Sequence, residues 1–189
     1  MMPFVALGFP GALASMDVVH FHWGRCPYSL QNLFTGKEGY PTVAVQMACT
    51  HDGRFVHSTP AVYGSMNDKA IVRLDPLSEL LQENSHYTDV EYEVRVSNEV
   101  DAEGKPTPAS RKMLKRPYVI VDGGYHKWRH LMSASSNIST APFKAFRKKL
   151  ESVRKDVECA FGRLKGLHCN LTVMLRTLRM IQRVTVCTI

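Results

Sequence analysis

The sequence predicts an α/β domain in which a mixed central sheet is flanked by helices. Three observations support this prediction: valine-rich apolar runs in the first third of the chain, an Asp-Gly turn signal, and a long amphipathic helix pattern towards the C-terminus. The chain has 189 residues, of which 44% are hydrophobic, enough for one domain with a substantial core and few for two. We therefore predict one domain over residues 1–189.

The first elements are predicted to be three antiparallel strands. Leu13 to Phe21 is apolar enough for the first strand, and Thr42 to Cys49 is nearly all apolar, as in a strand buried on both faces. The turn His51-Asp52-Gly53 follows, and Asp-Gly suits a tight hairpin. We therefore expect the third strand, Arg54 to Tyr63, to run back beside the second.

The middle of the chain predicts short helices and an insertion. Asn67 or Asp68 can cap a helix that runs to Leu74, and Pro76 breaks it before a further helical turn. Residues 84–115 are expected to be an insertion between core elements.

Within that insertion, a strand and its partner are predicted. Glu91 to Val96 alternates polar and apolar residues, as a strand with one wet face does. It is expected to pair with Arg111 to Lys115 across a polar loop, Asp101 to Ser110.

Two elements are predicted to complete the core. The apolar run Tyr118 to Val121 is a short strand that ends at Asp122. From Pro142 onwards, apolar residues recur every three or four positions, which predicts a C-terminal amphipathic helix. Glu158 lies about 100° around this helix from Val157, at the margin of the apolar stripe. Such an order, with carboxylates at strand ends and on the C-terminal helix, is what an RNase H-like domain requires.

Four separated acidic residues are candidate metal ligands: Asp17, Asp68, Asp122 and Glu158. Carboxylates held at strand ends and on a helix can bind hard divalent cations, because such ions prefer several oxygen ligands. Two ions held in this way could promote phosphodiester cleavage.

Charge is divided unevenly along the chain and favours a polyanionic partner. Residues 1–104 carry 6 Lys/Arg against 13 Asp/Glu, whereas residues 105–189 carry 18 against 4. A basic region of this kind can bind DNA phosphates, and its alternative is a solvated helix face. Arg154 has a second alternative, an ion pair with Glu158 at i+4. The candidate DNA-binding residues are Lys144, Arg147, Lys148, Arg154, Lys155 and Lys165, with Lys149 in the same basic run.

The cysteines and the hydropathy exclude several classes of protein. Five cysteines, an odd number without a CxxC pair, argue against a disulfide framework and a zinc site. No uncharged run is long enough to cross a bilayer, and the apolar start lacks a basic leader. We expect an intracellular protein that is not secreted.

Five segments in order resemble the DDE superfamily endonucleases of PIF/Harbinger-type transposons, and most of all their plant-transposon-protein branch. The resemblance spans nearly the whole chain. Its segments are Gly11 to His20, Thr35 to Gly39, Gly64 to Asp68, Tyr118 to Tyr125 and Arg154 to Lys165.

The resemblance implies a nuclear, metal-dependent DNA endonuclease with Asp17, Asp122 and Glu158 as its DDE triad. In RNase H-like sheets the second carboxylate follows the fourth strand, which ranks Asp122 above Asp68; Asp68 is a fourth ligand or a neighbour. Two Mg2+ ions, with Mn2+ as a substitute, would activate a water and stabilise the leaving 3′ oxygen.

The resemblance also implies what lies outside the site. Transposases of this group usually carry a helix-turn-helix region, yet only ten residues precede Gly11. We expect a chain truncated at both ends whose sequence-specific targeting comes from a separate Myb-like DNA-binding protein. The alternative is a catalytically inactive, transposon-derived module that binds DNA or protein.

Overall fold

The central sheet is built around the long first strand. A computed structural model describes residues 4–96, 110–134 and 140–167. Short 3₁₀ helices lie at Val5–Leu7 and Tyr28–Leu30. The other elements, in chain order, are β1 (Ala12–His22), α1 (Gln31–Phe34), β2 (Thr42–Cys49), β3 (Phe55–Ser58), β4 (Val62–Tyr63), α2 (Asp68–Arg73), α3 (Pro76–Glu83), α4 (Ser85–Thr88), β5 (Glu91–Val96), β6 (Ser110–Lys115), β7 (Tyr118–Ile120), β8 (Leu131–Met132) and α5 (Ala141–Leu167).

The sheet is mixed, with the strand order β3-β2-β1-β7-β8 and β4 also paired with β2. Strands β1, β2 and β3 are antiparallel neighbours, whereas β7 runs parallel to β1 and β8 runs parallel to β7. All eight residues of β2 are buried, as its apolar sequence predicted. The predicted mixed central sheet flanked by helices is therefore confirmed.

The predicted third strand is broken into β3 and β4. Both segments pair with β2, but Thr59, Pro60 and Ala61 separate them. Thr59 still donates its N–H to the Gln46 carbonyl at 2.9 Å, and the next residue, Pro60, has no N–H to donate. Because Val62 rather than Ala61 pairs with Ala44, one extra residue lies between the Thr59–Gln46 and Val62–Ala44 pairings and interrupts the strand.

Helix α5 covers one face of the sheet. The strand residues Val19, Phe21, Val45 and Met47 pack against Val157, Ala160, Phe161 and Leu164 of the helix. The opposite face carries Ala14, Met16 and Ala48, which pack with Val72 of α2 and Leu81 of α3. Since side chains alternate along a strand, Asp17 belongs to the same face as Val19, the face that α5 covers.

The predicted insertion contains a separate two-stranded sheet. Strands β5 and β6 pair from Glu91 with Lys115 to Val96 with Ser110, as the alternating pattern predicted. The loop prediction for residues 101–109 lies outside the described residues. The ring of Tyr92 lies against Gly11, whose φ of +87° and lack of Cβ make room for it. This hairpin therefore packs beside the start of β1.

No helix in the described part of the chain is long and apolar enough to cross a membrane.

Candidate metal centre

Asp17 lies on β1, and Asp122 follows the end of the neighbouring parallel strand β7. Ser15 of β1 is paired with Ile120 of β7, and both chains continue for two residues to reach Asp17 and Asp122. Continuing that register sets the two carboxylates side by side at the C-terminal end of β7. The negative charge of Asp122 raises the pKa of Asp17, which agrees with this placement.

Asp68 reaches the same region from the start of α2. Asn67 caps this helix by accepting the N–H of Ala70 at 2.8 Å, which leaves Asp68 as the first helical residue. Gly64 precedes the helix in close contact with the backbone of Thr42, where a Cβ would clash. The charge of Asp68 also raises the pKa of Asp17. The Gly64-to-Asp68 segment thus places a third carboxylate near β1.

Burial dominates the electrostatics of Asp17. Its side chain is 21% exposed and accepts the N–H of Val18 at 2.8 Å and a guanidinium N–H of Arg154 at 3.2 Å. The pKa of Asp17 is raised from 3.8 to about 6, mainly by loss of solvation and to a smaller extent by the charges of Asp68 and Asp122, against the lowering effect of those two contacts. Asp17 is ionised at neutral pH, at a free-energy cost that a bound cation would relieve.

Arg154 links the side chains of Glu158 and Asp17 by forming an ion pair with each. The Nη1 atom of Arg154 lies 2.8 Å from Glu158 Oε1 and 3.2 Å from Asp17 Oδ2. Two oxygens in contact with one nitrogen at these distances are at most about 6 Å apart. Glu158 is 47% exposed, as its predicted place at the margin of the apolar stripe implied. The i+4 ion pair between Arg154 and Glu158 that the sequence allowed is present.

Tyr125 adds a buried hydroxyl to this group. Its side chain is 2% exposed, and its oxygen has no hydrogen-bond partner among the residues that the structure describes. Burial raises the pKa of Tyr125, and the charges of Asp17, Asp68 and Asp122 raise it further. Sequence reasoning missed this role, because Gly123-Gly124-Tyr125 resembles an ordinary turn after a strand.

The candidate ligands have the oxygen atoms that a hard divalent cation prefers, but they are not gathered closely enough to form a metal site. All four candidate side chains offer oxygen, the ligand atom that such a cation prefers. Nevertheless, in the described ranges 4–96, 110–134 and 140–167, no three or more His, Cys, Asp or Glu side chains already form a group that could hold a metal ion. The guanidinium of Arg154 occupies the space between Asp17 and Glu158.

The candidate DNA-binding residues are not equivalent. Arg154 is 15% exposed and engaged with carboxylates, whereas the others are exposed along α5. Lys165 lies 5.9 Å from the centre of the Phe21 ring, close enough for a cation–π contact. The exposed members are Lys144, Arg147, Lys148, Lys155 and Lys165.

These features define a mixed α/β protein in which Asp17 of the central strand β1 meets Arg154 and Glu158 of a basic helix. The sequence profile of one family, described as plant transposon protein, matches residues 5–189. The chain belongs to that family. No curated protein and no solved structure matches it.

Proposed function

We propose that this chain is the core of a transposon-derived, divalent-metal-dependent DNA endonuclease of the DDE superfamily, with an RNase H-like fold. Membership of a transposon protein family supports a substrate of DNA. The sheet supports the fold, because three antiparallel strands are followed by a strand that lies parallel to the first and next to it.

The meeting of Asp17 and Glu158 at one atom of Arg154 carries this proposal. Residues 17 and 154 are 137 positions apart in sequence, and no local pattern requires them to touch. Arg154 holds the Glu158 carboxylate within about 6 Å of the partly buried carboxylate of Asp17 on the central strand. A cation-binding role would explain why further acidic side chains lie near Asp17, whose own charge is penalised by burial.

Each carboxylate would have a distinct part in this site. Asp17, Asp122 and Glu158 would hold the divalent cations as the principal ligands, with Asp17 shared between two ions, and Asp68 would support them. Bound divalent cations would supply an activated water and stabilise the leaving 3′ oxygen. The exposed basic residues of α5 would hold the DNA backbone through its phosphates, and sequence-specific targeting in the nucleus would come from a separate DNA-binding protein.

Nicking of supercoiled plasmid DNA by the purified chain tests the proposal. We expect nicking with Mg2+ or Mn2+ and none with a chelator present. Asp122→Asn should lower the rate by about two orders of magnitude or more, roughly the loss caused by removing one group of a preorganised site. DNA binding, measured by fluorescence anisotropy, should persist.

Glu83→Gln is the matched control, because Glu83 is exposed on α3 and its substitution removes one negative charge outside the site. It should nick DNA at the wild-type rate. Unchanged nicking by Asp122→Asn would remove Asp122 from the proposed triad.

A second candidate function is a catalytically inactive module that binds DNA. The ion pairs of Arg154 favour it, because they neutralise two candidate ligands without a metal. Such a protein would bind DNA with a strong dependence on salt and would not nick it with either cation. The plasmid assay therefore separates the two functions.

A further inference from the structure

Arg154 contacts three carboxylates at once. Its Nη1 atom bonds Asp17 and Glu158, and its Nε atom donates separately to Glu151 Oε2 at 3.2 Å. At 15% exposure its guanidinium is withdrawn from solvent, whereas its neighbour Lys155 is exposed. Arg154 is thus placed as a counter-ion rather than as part of the exposed basic surface.

The position of Nη1 is incompatible with a cation bound to the same oxygens. A Mg2+ ion lies about 2.0–2.1 Å from each oxygen ligand. An ion that bridged Asp17 Oδ2 and Glu158 Oε1 would fall in the volume that Nη1 occupies and would repel its positive charge. A Mg2+ ion and the guanidinium of Arg154 therefore cannot occupy this position at the same time.

Glu151 offers the guanidinium another partner. It lies one helical turn before Arg154 at i−3, and it accepts from Nε rather than Nη1. The Nε bond can therefore persist while Nη1 breaks its contacts with Asp17 and Glu158. Arg154 would then remain paired without occupying the space between the two candidate ligands.

We propose that Arg154 is a built-in counter-ion that competes with divalent cations for Asp17 and Glu158, and that Glu151 holds it in the displaced position. This inference rests on the proposed function, because it takes those two carboxylates as metal ligands. In the metal-free protein Arg154 keeps the acidic side chains together. The cation binds by displacing it, so the apparent metal affinity includes the cost of that displacement.

Calorimetric titration of DNA-free protein with Mn2+ tests the competition. We expect Arg154→Gln to bind Mn2+ about tenfold more tightly than wild type, the change expected when a partly buried ion-pair competitor is lost. Lys149→Gln is the control, since it removes the same charge from an exposed position of the same helix. It should bind Mn2+ with the wild-type affinity.

The role of Glu151 is tested by a double-mutant cycle. Glu151→Gln should weaken Mn2+ binding in the wild-type background, because Arg154 then loses its displaced position. In the Arg154→Gln background the same substitution should have little effect, because no guanidinium remains to be held. Equal effects in both backgrounds would show that Glu151 acts only through its own charge and would overturn its assigned role.

The outcomes separate this inference from the proposed function. If wild type binds Mn2+ and Arg154→Gln, folded by circular dichroism, binds it no more tightly, the competition is refuted while the metal site stands. If neither binds Mn2+, the proposed function fails and the inference fails with it. Binding by Arg154→Gln alone would support the inference strongly. If Arg154→Gln does not fold, the Glu151→Gln titration decides, and an unchanged affinity there would refute the competition.

Discussion

Two aspartates on opposite faces of the sheet, Asp75 and Asp17, show how differently one protein can treat a buried carboxylate. Asp75 has no exposed side-chain surface, and it accepts hydrogen bonds from His57 at 2.7 Å, from the Leu77 N–H at 2.9 Å and from the side chain of Gln46. It also caps α3. Its oxygens therefore have partners that are all internal to the fold.

Asp17 is partly buried with fewer donors. It has the N–H of the next residue and a guanidinium shared with Glu158, and the loss of solvation outweighs both, since its pKa rises to about 6. The comparison teaches that a carboxylate with its own donors stabilises a fold, while one with too few is available for a ligand.

The largest expected change in stability is that caused by replacing Asp75. Asp75→Ala should lower the free energy of unfolding by about 3 kcal/mol, because it leaves His57 and Gln46 buried without a partner and removes a helix cap. Urea denaturation measures this loss. Glu79→Ala, an exposed change in the same helix, should alter stability by less than about 0.5 kcal/mol. A loss below 1 kcal/mol for Asp75→Ala would end the contrast.

Asp17→Asn should raise the free energy of unfolding at neutral pH, by less than Asp75→Ala lowers it. The folded-state pKa of Asp17 is about 6 and its unfolded value is 3.8, so the folded protein binds the proton more tightly. The contribution of Asp17 to stability is then greatest below about pH 4, falls between about pH 4 and 6 and stays low above that range. Asparagine carries no charge at any of these values.

We therefore expect Asp17→Asn to be more stable than wild type by roughly 1–2 kcal/mol at about pH 7.5, after allowing for the lost contact with Arg154. The difference should vanish near pH 4, where both side chains are neutral. Thermal unfolding at the two pH values measures it. Destabilisation at the higher pH would show that Asp17, like Asp75, is a structural carboxylate.

The smallest effect is expected at Tyr125. Tyr125→Phe removes a buried hydroxyl that has no partner in the described part of the chain, so the metal-free protein should keep its stability within about 0.5 kcal/mol. Tyr125→Leu, which also removes the packed ring, should lose about 2 kcal/mol or more. Urea denaturation compares the two. A large loss in Tyr125→Phe would mean that the hydroxyl is already satisfied in the fold.

Local structure was predictable because local patterns determine it. The bounds of β2 and β5 match the prediction, and those of β1 and α5 are close to it, since each has a clear apolar period. Strand β8 was missed, because two residues carry no period and their strand conformation depends on the pairing with β7. Pairing across a sheet depends on the partner strand rather than on the segment itself.

The sequence by itself determined the acidic residues worth examining, the cap of α2 at Asn67 or Asp68, and the place of Glu158 at the margin of the apolar stripe of α5. Only the tertiary structure decided that Arg154 lies between Asp17 and Glu158, that the buried Tyr125 hydroxyl has no hydrogen-bond partner among the described residues, and that His57 and Gln46 satisfy Asp75. The physical reason is the distance in sequence over which each property is determined. A residue's periodicity and capping depend on its near neighbours in sequence, whereas burial and charge pairing depend on side chains brought together from distant segments.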